Sequence, residues 1–140
     1  MSKRTDPLTY SVCVARTYSA AHRLASPELS DDENDRIYGK CAHPGGHGHD
    51  YRFEFVVSAD ALTDHVVIAR DWLAKCIDGL VKPQFDCVNL NETVGQNEVT
   101  SGENLVRKAW ELLAPQLPSH TSLRVHLHET RKNSFCYPPD

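Results

Sequence analysis

The chain has 140 residues, 40% of them hydrophobic and 24% charged, which is typical of a soluble globular protein with a single domain over residues 1–140. Its net charge of −4 argues against a basic surface for nucleic acid, and no apolar run reaches the length of a membrane span. The first residues lack the apolar core of a signal peptide, and the five widely spaced cysteines do not suggest a disulfide framework, so we expect a cytoplasmic protein in a reducing compartment.

Two strands are predicted in the first half of the chain, with a loop between them. Apolar and polar residues alternate over residues 8–19 and again over residues 49–57, and this two-residue period is typical of β-strands. Residues 25–38 contain three consecutive acidic residues that begin at Asp31, and we interpret this segment as a solvated loop.

Two helices are predicted in the second half. The first covers residues 69–80, where apolar residues are spaced i, i+3, i+4, i+7, namely Leu73, Cys76, Ile77 and Leu80. Residues 84–99 show no period and are interpreted as irregular. Thr100 and Glu103 have the spacing of a capping box, which predicts a second helix that ends before Pro118.

Two further strands, 122–130 and 134–137, are predicted at the end of the chain. The order β-β-α-α-β-β predicts an α+β fold. We expect a four-stranded antiparallel sheet with both helices on one of its faces.

One glycine- and proline-rich segment concentrates chemically reactive side chains. It contains Cys41, His47 and His49, and the single glycine between the two histidines lets both imidazoles leave the same face of an extended chain. Zinc binds neutral imidazole and usually has three or four protein ligands. His22 is the best third ligand, whereas His43 is weakly excluded by its place in a tight turn. The alternative is that eight histidines cluster by chance and that these are ordinary surface or core residues.

The chain carries motifs that are specific as a set: Ser19-Ala20-Ala21-His22-Arg23-Leu24, Gly39-Lys40-Cys41, His47-Gly48-His49, Asn89-Leu90-Asn91, Ser101-Gly102-Glu103-Asn104 and Glu129-Thr130. Together they resemble the 6-pyruvoyl-tetrahydropterin synthase family, which also contains the 6-carboxy-tetrahydropterin synthases. The resemblance extends from about Tyr18 to Tyr137. The five residues between Cys41 and His47 resemble the pyruvoyl-forming branch.

This resemblance implies a tunnelling fold, in which subunits assemble around a barrel, commonly as a homohexamer of two trimers with active sites at subunit interfaces. It implies a zinc ion with three protein ligands, His22, His47 and His49. Cys41 would be the catalytic thiol and Glu129 the carboxylate that anchors the pterin ring. Ser101 and Glu103 would be further substrate-binding residues.

Position 87 departs from the family pattern. In the family an Asp-His pair of a neighbouring subunit tunes the catalytic thiol, and Asp86 and Cys87 match that pair here. An imidazole can take the proton of a thiol and then favour the thiolate as a cation, whereas a thiol cannot become a cation. Either His43, His65 or His128 supplies the imidazole that takes the proton of the thiol, or turnover is slow.

The resemblance therefore implies a zinc-dependent lyase that acts on 7,8-dihydroneopterin triphosphate by triphosphate elimination and side-chain rearrangement. One alternative is a 6-carboxy-tetrahydropterin synthase of queuosine and other deazapurine biosynthesis. Another is a pterin-binding zinc protein whose turnover is weakened by Cys87. A structural zinc module is disfavoured by the acidic balance and by the absence of paired Cys-x-x-Cys spacing.

Overall fold

The computed structural model describes residues 10–96 and 98–139, in which one mixed sheet is the central feature. Its strands are β1 (Tyr10–His22), β2 (His47–Ala59), β3 (Val88–Asn89), β4 (Ser122–His128) and β5 (Ser134–Tyr137). They lie in the order β3-β1-β2-β4-β5, with all neighbours antiparallel except β3, which runs parallel to β1. The predicted α+β class is confirmed. The predicted four-stranded antiparallel sheet is wrong by one short strand, because β3 has only two residues and so shows no period.

The helices are α1 (Asp31–Tyr38), α2 (Arg70–Leu80), α3 (Lys82–Phe85) and α4 (Gly102–Leu113), with 3₁₀ turns at Gly39–Ala42 and Ala114–Gln116. The segment 84–99, predicted to be irregular, thus contains the end of α3 and the strand β3. No helix within the described ranges is both long and apolar enough to span a membrane.

The sheet has a core face and an open face. The core face carries the even-numbered residues of β1 and the odd-numbered residues of β2 and β4, most of which are buried. The longer helices α2 and α4 cover this face, since their apolar residues join the same cluster as the strand residues: Leu73, Ile77, Leu105, Val106, Ala109 and Leu113. This confirms the prediction that both helices share one face. The open face carries the alternate, more exposed residues of the same strands.

Helix α1 corrects the prediction of a loop over residues 25–38. The Ser30 hydroxyl accepts the backbone N–H of Glu33 at 3.2 Å, which caps the helix. Because a helix N-terminus is electropositive, the acidic residues that suggested a solvated loop stabilise the first turn instead. The side chain of Asn34 is buried and bonds both the N–H and the carbonyl of Ser26.

The cap of α4 also differs from the prediction by one residue. Ser101 is the N-cap, and its hydroxyl accepts the backbone N–H of Asn104 at 3.4 Å. Thr100 is buried instead, and its hydroxyl donates to the carbonyl of Arg23 at 3.3 Å. The predicted capping box between Thr100 and Glu103 is therefore wrong. The backbone carbonyl of Thr100 instead contacts His22 in the site described below.

The close contact between α4 and β5 yields a stability prediction. A Cβ added at Gly102 would stand 2.1 Å from the ring of Phe135, whereas one added at Gly79 in α2 meets no atom within 4 Å. Gly102→Ala is expected to lower the free energy of unfolding by about 1–3 kcal/mol through overpacking. Gly79→Ala is expected to raise the free energy of unfolding by about 0.5–1 kcal/mol, because alanine loses less backbone entropy than glycine when the helix forms. Urea unfolding of both variants checks this, and equal stability of the two would contradict the packing at Gly102.

Candidate active site

Three imidazoles meet at one end of the sheet because of the β1–β2 register. His22, the last residue of β1, is the cross-strand partner of His47, the first residue of β2, and His49 lies on the same face two residues later. The ring centroids are 4.6 Å apart for His22 and His47, 5.3 Å for His22 and His49, and 4.6 Å for His47 and His49. The register between β1 and β2 therefore brings the three predicted ligands together.

The ligand atoms of this triad all lie within 4.8 Å of one another, so His22, His47 and His49 could hold a metal ion. The Nε2 atoms of His22 and His47 are 3.1 Å apart. Two imidazole nitrogens bound to one tetrahedral zinc ion stand about 3.3 Å apart, as follows from zinc–nitrogen bonds of 2.0–2.1 Å. Small side-chain adjustments suffice to bring all three nitrogens to that arrangement.

His22 is held by a backbone contact from the other side of the core. Its Nδ1 donates to the carbonyl of Thr100, 2.9 Å away, which leaves Nε2 as the nitrogen that faces the cluster. The residue is 1% exposed, and this burial lowers its pKa to about 4, with smaller contributions from His47 and His49. Burial also lowers the pKa of His47. Burial thus favours the neutral form of His22 and His47, which is the form that binds metal.

Two neighbouring segments fix the chain around His22. Gly46 has φ +67°, and a Cβ there would stand 2.9 Å from the carbonyl oxygen of His22, so this glycine lets the loop approach the end of β1. On the other side, the side-chain amide of Asn91 accepts the N–H of Arg23 at 2.8 Å and donates to its carbonyl at 2.9 Å. The amide extends the sheet by one pair of hydrogen bonds.

Cys41 lies in the 3₁₀ turn Gly39–Ala42, beside the chain that follows His22. Its carbonyl accepts the N–H of Leu24 at 2.7 Å, and the side chain of Arg23 donates to the carbonyl of Ala42 at 2.6 Å. The cysteine is half-buried and, when ionised, raises the pKa of Tyr51. The predicted thiol thus lies at the same end of the sheet as the imidazoles.

Glu129 directly follows β4 and turns towards the cluster. Its Oε1 is 3.7 Å from Nε2 of His49, and its side chain is only 15% exposed. Burial lowers the pKa of His47 and raises the pKa of Tyr51, and the charge of Glu129 opposes the first shift and adds to the second. Glu129 is therefore a largely buried carboxylate next to the imidazoles.

Tyr51 is a site residue that the sequence reasoning missed. It belongs to the alternating pattern of β2 and lies two residues after His49 on the same face. Its ring centroid is 5.8 Å from that of His22 and 5.4 Å from that of His49. The side chain is fully buried. The parity that it shares with His49 is the signal that could have identified it.

Ser101 and Glu103 lie at the start of α4. Ser101 serves as its N-cap, and Glu103 is exposed on its first turn. The structure thus gives Ser101 a capping role, while a contact of either residue with a substrate stays a prediction.

The comparisons with known proteins agree with this geometry. The family model described as 6-pyruvoyl tetrahydropterin synthase matches residues 11–140. A 6-pyruvoyl tetrahydrobiopterin synthase of Poecilia reticulata is 39% identical over 126 residues, which cover 87% of this chain and 85% of the relative. The human protein of that name is 34% identical, with 86% of each chain covered. The chain belongs to the 6-pyruvoyl tetrahydropterin synthase family.

A solved structure supports the same assignment. The 6-pyruvoyl tetrahydropterin synthase of Caenorhabditis elegans superposes with a TM-score of 0.77 at 29% identity, and the match covers 96% of this chain and all of that one. The fold expected for a member of the 6-pyruvoyl tetrahydropterin synthase family is therefore present in the described residues.

Asp86 and Cys87 lie beside β1, next to Ser19. Asp86 Oδ1 accepts the N–H of Ser19 at 3.1 Å, and the N–H of Cys87 donates to the carbonyl of Ser19 at 2.7 Å. Cys87 is exposed and lines a shallow cavity with Asp50 and His49. The pair is thus held against β1 and does not belong to the group of side chains that could hold a metal ion.

The histidines considered as substitutes for the missing relay imidazole lie in three different places. His43 is exposed in the turn after Cys41. His128 lies on the open face, where its Nε2 is 3.2 Å from Glu54. His65 lines a cavity with Tyr10, at the opposite end of β1 from His22, which at about 3.3 Å per residue is roughly 40 Å away. His65 cannot serve the site of its own chain.

The buried His22 makes the stability of the metal-free protein depend on pH. Its folded-state pKa of about 4 is below the ordinary 6.5, so below pH 6.5 the unfolded chain binds a proton that the folded chain refuses. Stability is therefore complete above pH 6.5 and is lost as the pH falls towards 4, by about 3 kcal/mol in total. Urea unfolding of chelator-treated protein between pH 7.5 and 4 measures this loss.

A matched pair of variants assigns the effect. His22→Asn is expected to flatten the pH dependence, whereas His43→Asn, at an exposed histidine, should retain it. A wild-type protein whose unfolding free energy is constant from pH 7.5 to 4 would contradict the burial of a neutral His22.

Proposed function

We propose that this chain is a zinc-dependent 6-pyruvoyl-tetrahydropterin synthase-like lyase, which eliminates triphosphate from 7,8-dihydroneopterin triphosphate and rearranges its side chain. The observation that carries the proposal is the imidazole triad with Glu129 3.7 Å from one of its members, in a chain of this family. The relatives described above carry the pyruvoyl name, which favours this reaction over the 6-carboxy alternative.

The donor set fits zinc. Three neutral imidazoles are a known zinc ligand set that leaves a fourth position open, and the hydrogen bond from His22 to Thr100 fixes the tautomer that presents Nε2. Zinc bound there would supply Lewis-acid polarisation of the substrate's side-chain oxygens.

The remaining chemistry belongs to two side chains. We assign ring recognition to Glu129, whose carboxylate can accept two N–H bonds from the aminopyrimidine edge of a pterin. We assign the base to Cys41, whose thiolate would take the proton from the side-chain carbon next to the ring. Ser101 and Glu103 remain candidates for further substrate contacts.

We also propose assembly into a homohexamer of two trimers in the cytoplasm. Among the described residues, β3 pairs only with Ala20 and Ala21 of β1, and β5 forms the other edge of the sheet. Unpaired edges favour pairing with another chain, and closing a barrel between copies would remove them. Such an assembly would let Asp86 and Cys87 of one copy serve the triad of another.

The experiment that tests the function is incubation of the zinc-loaded protein with 7,8-dihydroneopterin triphosphate, followed by mass identification of the products. We expect inorganic triphosphate and a pyruvoyl tetrahydropterin. Cys41→Ala should abolish turnover and retain zinc, while His47→Ala should lose zinc. A Cys41→Ala variant with the wild-type rate would show that another residue is the base, and full zinc retention in His47→Ala would overturn the metal site.

A second candidate function is pterin binding with weak turnover, and the observation that favours it is Cys87. The thiol lies 3.7 Å from Asp86 and cannot become a cation. The backbone there has φ +56°, a left-handed conformation in which histidine is comparatively frequent, so a histidine can be introduced without new strain.

The substitution Cys87→His tests this weakness. Because general base assistance is worth ~10²–10⁴-fold in rate, we expect Cys87→His to raise kcat by at least about 10-fold and to shift the pH–rate profile towards neutrality. Cys87→Ser, a polar control that cannot become a cation, should leave both unchanged. If the folded, zinc-loaded histidine variant keeps the wild-type rate and profile, position 87 does not limit the reaction.

A further inference from the structure

The side chain that follows His22 reaches the turn that carries Cys41. Nε of Arg23 donates to the carbonyl oxygen of Ala42 at 2.6 Å, one residue after the cysteine. Hydrogen bonds from an ionised donor are shorter and stronger than those between neutral groups. Because Ala42 is fully buried, its carbonyl has to find its partner within the chain. Arg23 therefore joins the end of β1 to the turn that holds the proposed base.

The turn Gly39–Ala42 and the helix before it bury little against the rest of the molecule. Asn34 is the only buried residue of α1, and its side chain bonds Ser26 within the same segment. In the turn, Ala42 alone is buried. Two hydrogen bonds join the turn to the chain that follows β1, one from the N–H of Leu24 to the carbonyl of Cys41 and one from Arg23 to Ala42. The position of the thiol therefore depends on these two bonds.

Arg23 can hold the turn because its own backbone is fixed on both sides. Its N–H donates to the side chain of Asn91 at 2.8 Å. Its carbonyl accepts from that side chain at 2.9 Å and from the hydroxyl of Thr100 at 3.3 Å. The carbonyl of Thr100 also orients the ring of His22. One frame thus supports the imidazole of His22 directly and the thiol through the guanidinium of Arg23.

We propose that Arg23 is a positioning residue for the thiol of Cys41, and that its hydrogen bond to the carbonyl of Ala42 sets the place of the thiol relative to the imidazoles. This inference rests on the proposed function, since it concerns the base of that same site. A base acts only within hydrogen-bond reach of its proton, and a misplacement of about 1 Å can cost ~10²-fold in rate. Loss of the contact therefore lowers kcat.

The N–H donor of Arg23, rather than its charge, is the feature that matters. The guanidinium is 3.8 Å from Oδ1 of Asp31, whose side chain is 95% exposed, and such exposed pairs contribute little. Two neutral side chains separate the donor from the charge. Glutamine carries an N–H donor at the same number of bonds from the backbone as Nε of arginine, whereas methionine has the same length and no donor.

The experiment compares Arg23→Met, Arg23→Gln and the wild type as zinc-loaded proteins, with Arg36→Met as a control at an exposed arginine of α1. We expect Arg23→Met to lower kcat by about 10- to 100-fold and to change KM less than about threefold, because the ring anchor and the imidazoles lie on other elements. Arg23→Gln should retain kcat within about fivefold of the wild type, and Arg36→Met should equal the wild type.

A second measurement follows the turn without turnover. Cys41 is half-buried, so release of the turn exposes its thiol to the neutral alkylating reagent iodoacetamide. Peptide mapping resolves the five thiols, and we expect Arg23→Met to raise the alkylation rate of Cys41 by about fivefold through local opening. Cys76, also half-buried but in α2, should keep its rate and serves as the internal control. In Arg23→Gln the rate at Cys41 should remain close to that of the wild type.

The outcomes separate this inference from the proposed function. Alkylation of Cys41 at the wild-type rate in Arg23→Met overturns the inference, whether or not the wild type turns over substrate. If the wild type has no turnover and the rate at Cys41 still rises in Arg23→Met alone, the contact stands and the proposed function fails. Equal changes in Arg23→Met and Arg23→Gln overturn the role of the N–H donor.

Zinc content and folding are checked in every variant. Equal zinc content shows that the site around His22 is intact, so that a lower kcat then concerns the thiol. If Arg23→Met does not fold, Arg23→Gln decides against the wild type. A rate of Cys41 alkylation and a kcat close to those of the wild type support the contact, and alkylation as fast as in the urea-unfolded protein overturns it.

Discussion

The cross-strand pairing of His22 with His47 is the constraint on which the site depends. It fixes which residues of β1 and β2 share a face, and a shift of one residue in this register would place His47 and His49 on the face opposite His22. The carbonyl of Thr100 then selects the ring orientation of His22 from across the core. The arrangement of the three imidazoles is therefore a property of the sheet and of the segment before α4, rather than of a flexible loop.

Burial also affects the charge of the imidazoles that this register brings together. Three imidazoles whose ligand atoms lie within 4.8 Å of one another would repel one another as cations, and burial lowers the pKa of His22 to about 4 and also lowers the pKa of His47. A divalent cation would bind the neutral nitrogens in place of protons. Glu129 adds a negative charge close to His49. Such a site favours a metal ion over protons.

The sequence predicted the features that depend on a period or on residue type. The long strands, α2, α4 and the triad follow from alternation, helical spacing and the histidine pair around Gly48. It did not predict β3, because two residues carry no period, nor α1, whose acidic first turn also suits a loop. Tyr51 was missed because the groups around it include Glu129, which lies 78 positions away from it in the chain. The place of Cys87 beside β1 is likewise a tertiary property.

The position of Asp86 and Cys87 links chemistry to assembly. Both are held against β1 by hydrogen bonds to Ser19, and neither belongs to the group of side chains that could hold a metal ion. The edge of β1 lies beside this pair. Unpaired edges favour pairing with another chain. A second copy that paired at this edge would bring its own residues close to Asp86 and Cys87, so the contact that covers the edge would also bring the proposed relay of one copy close to another.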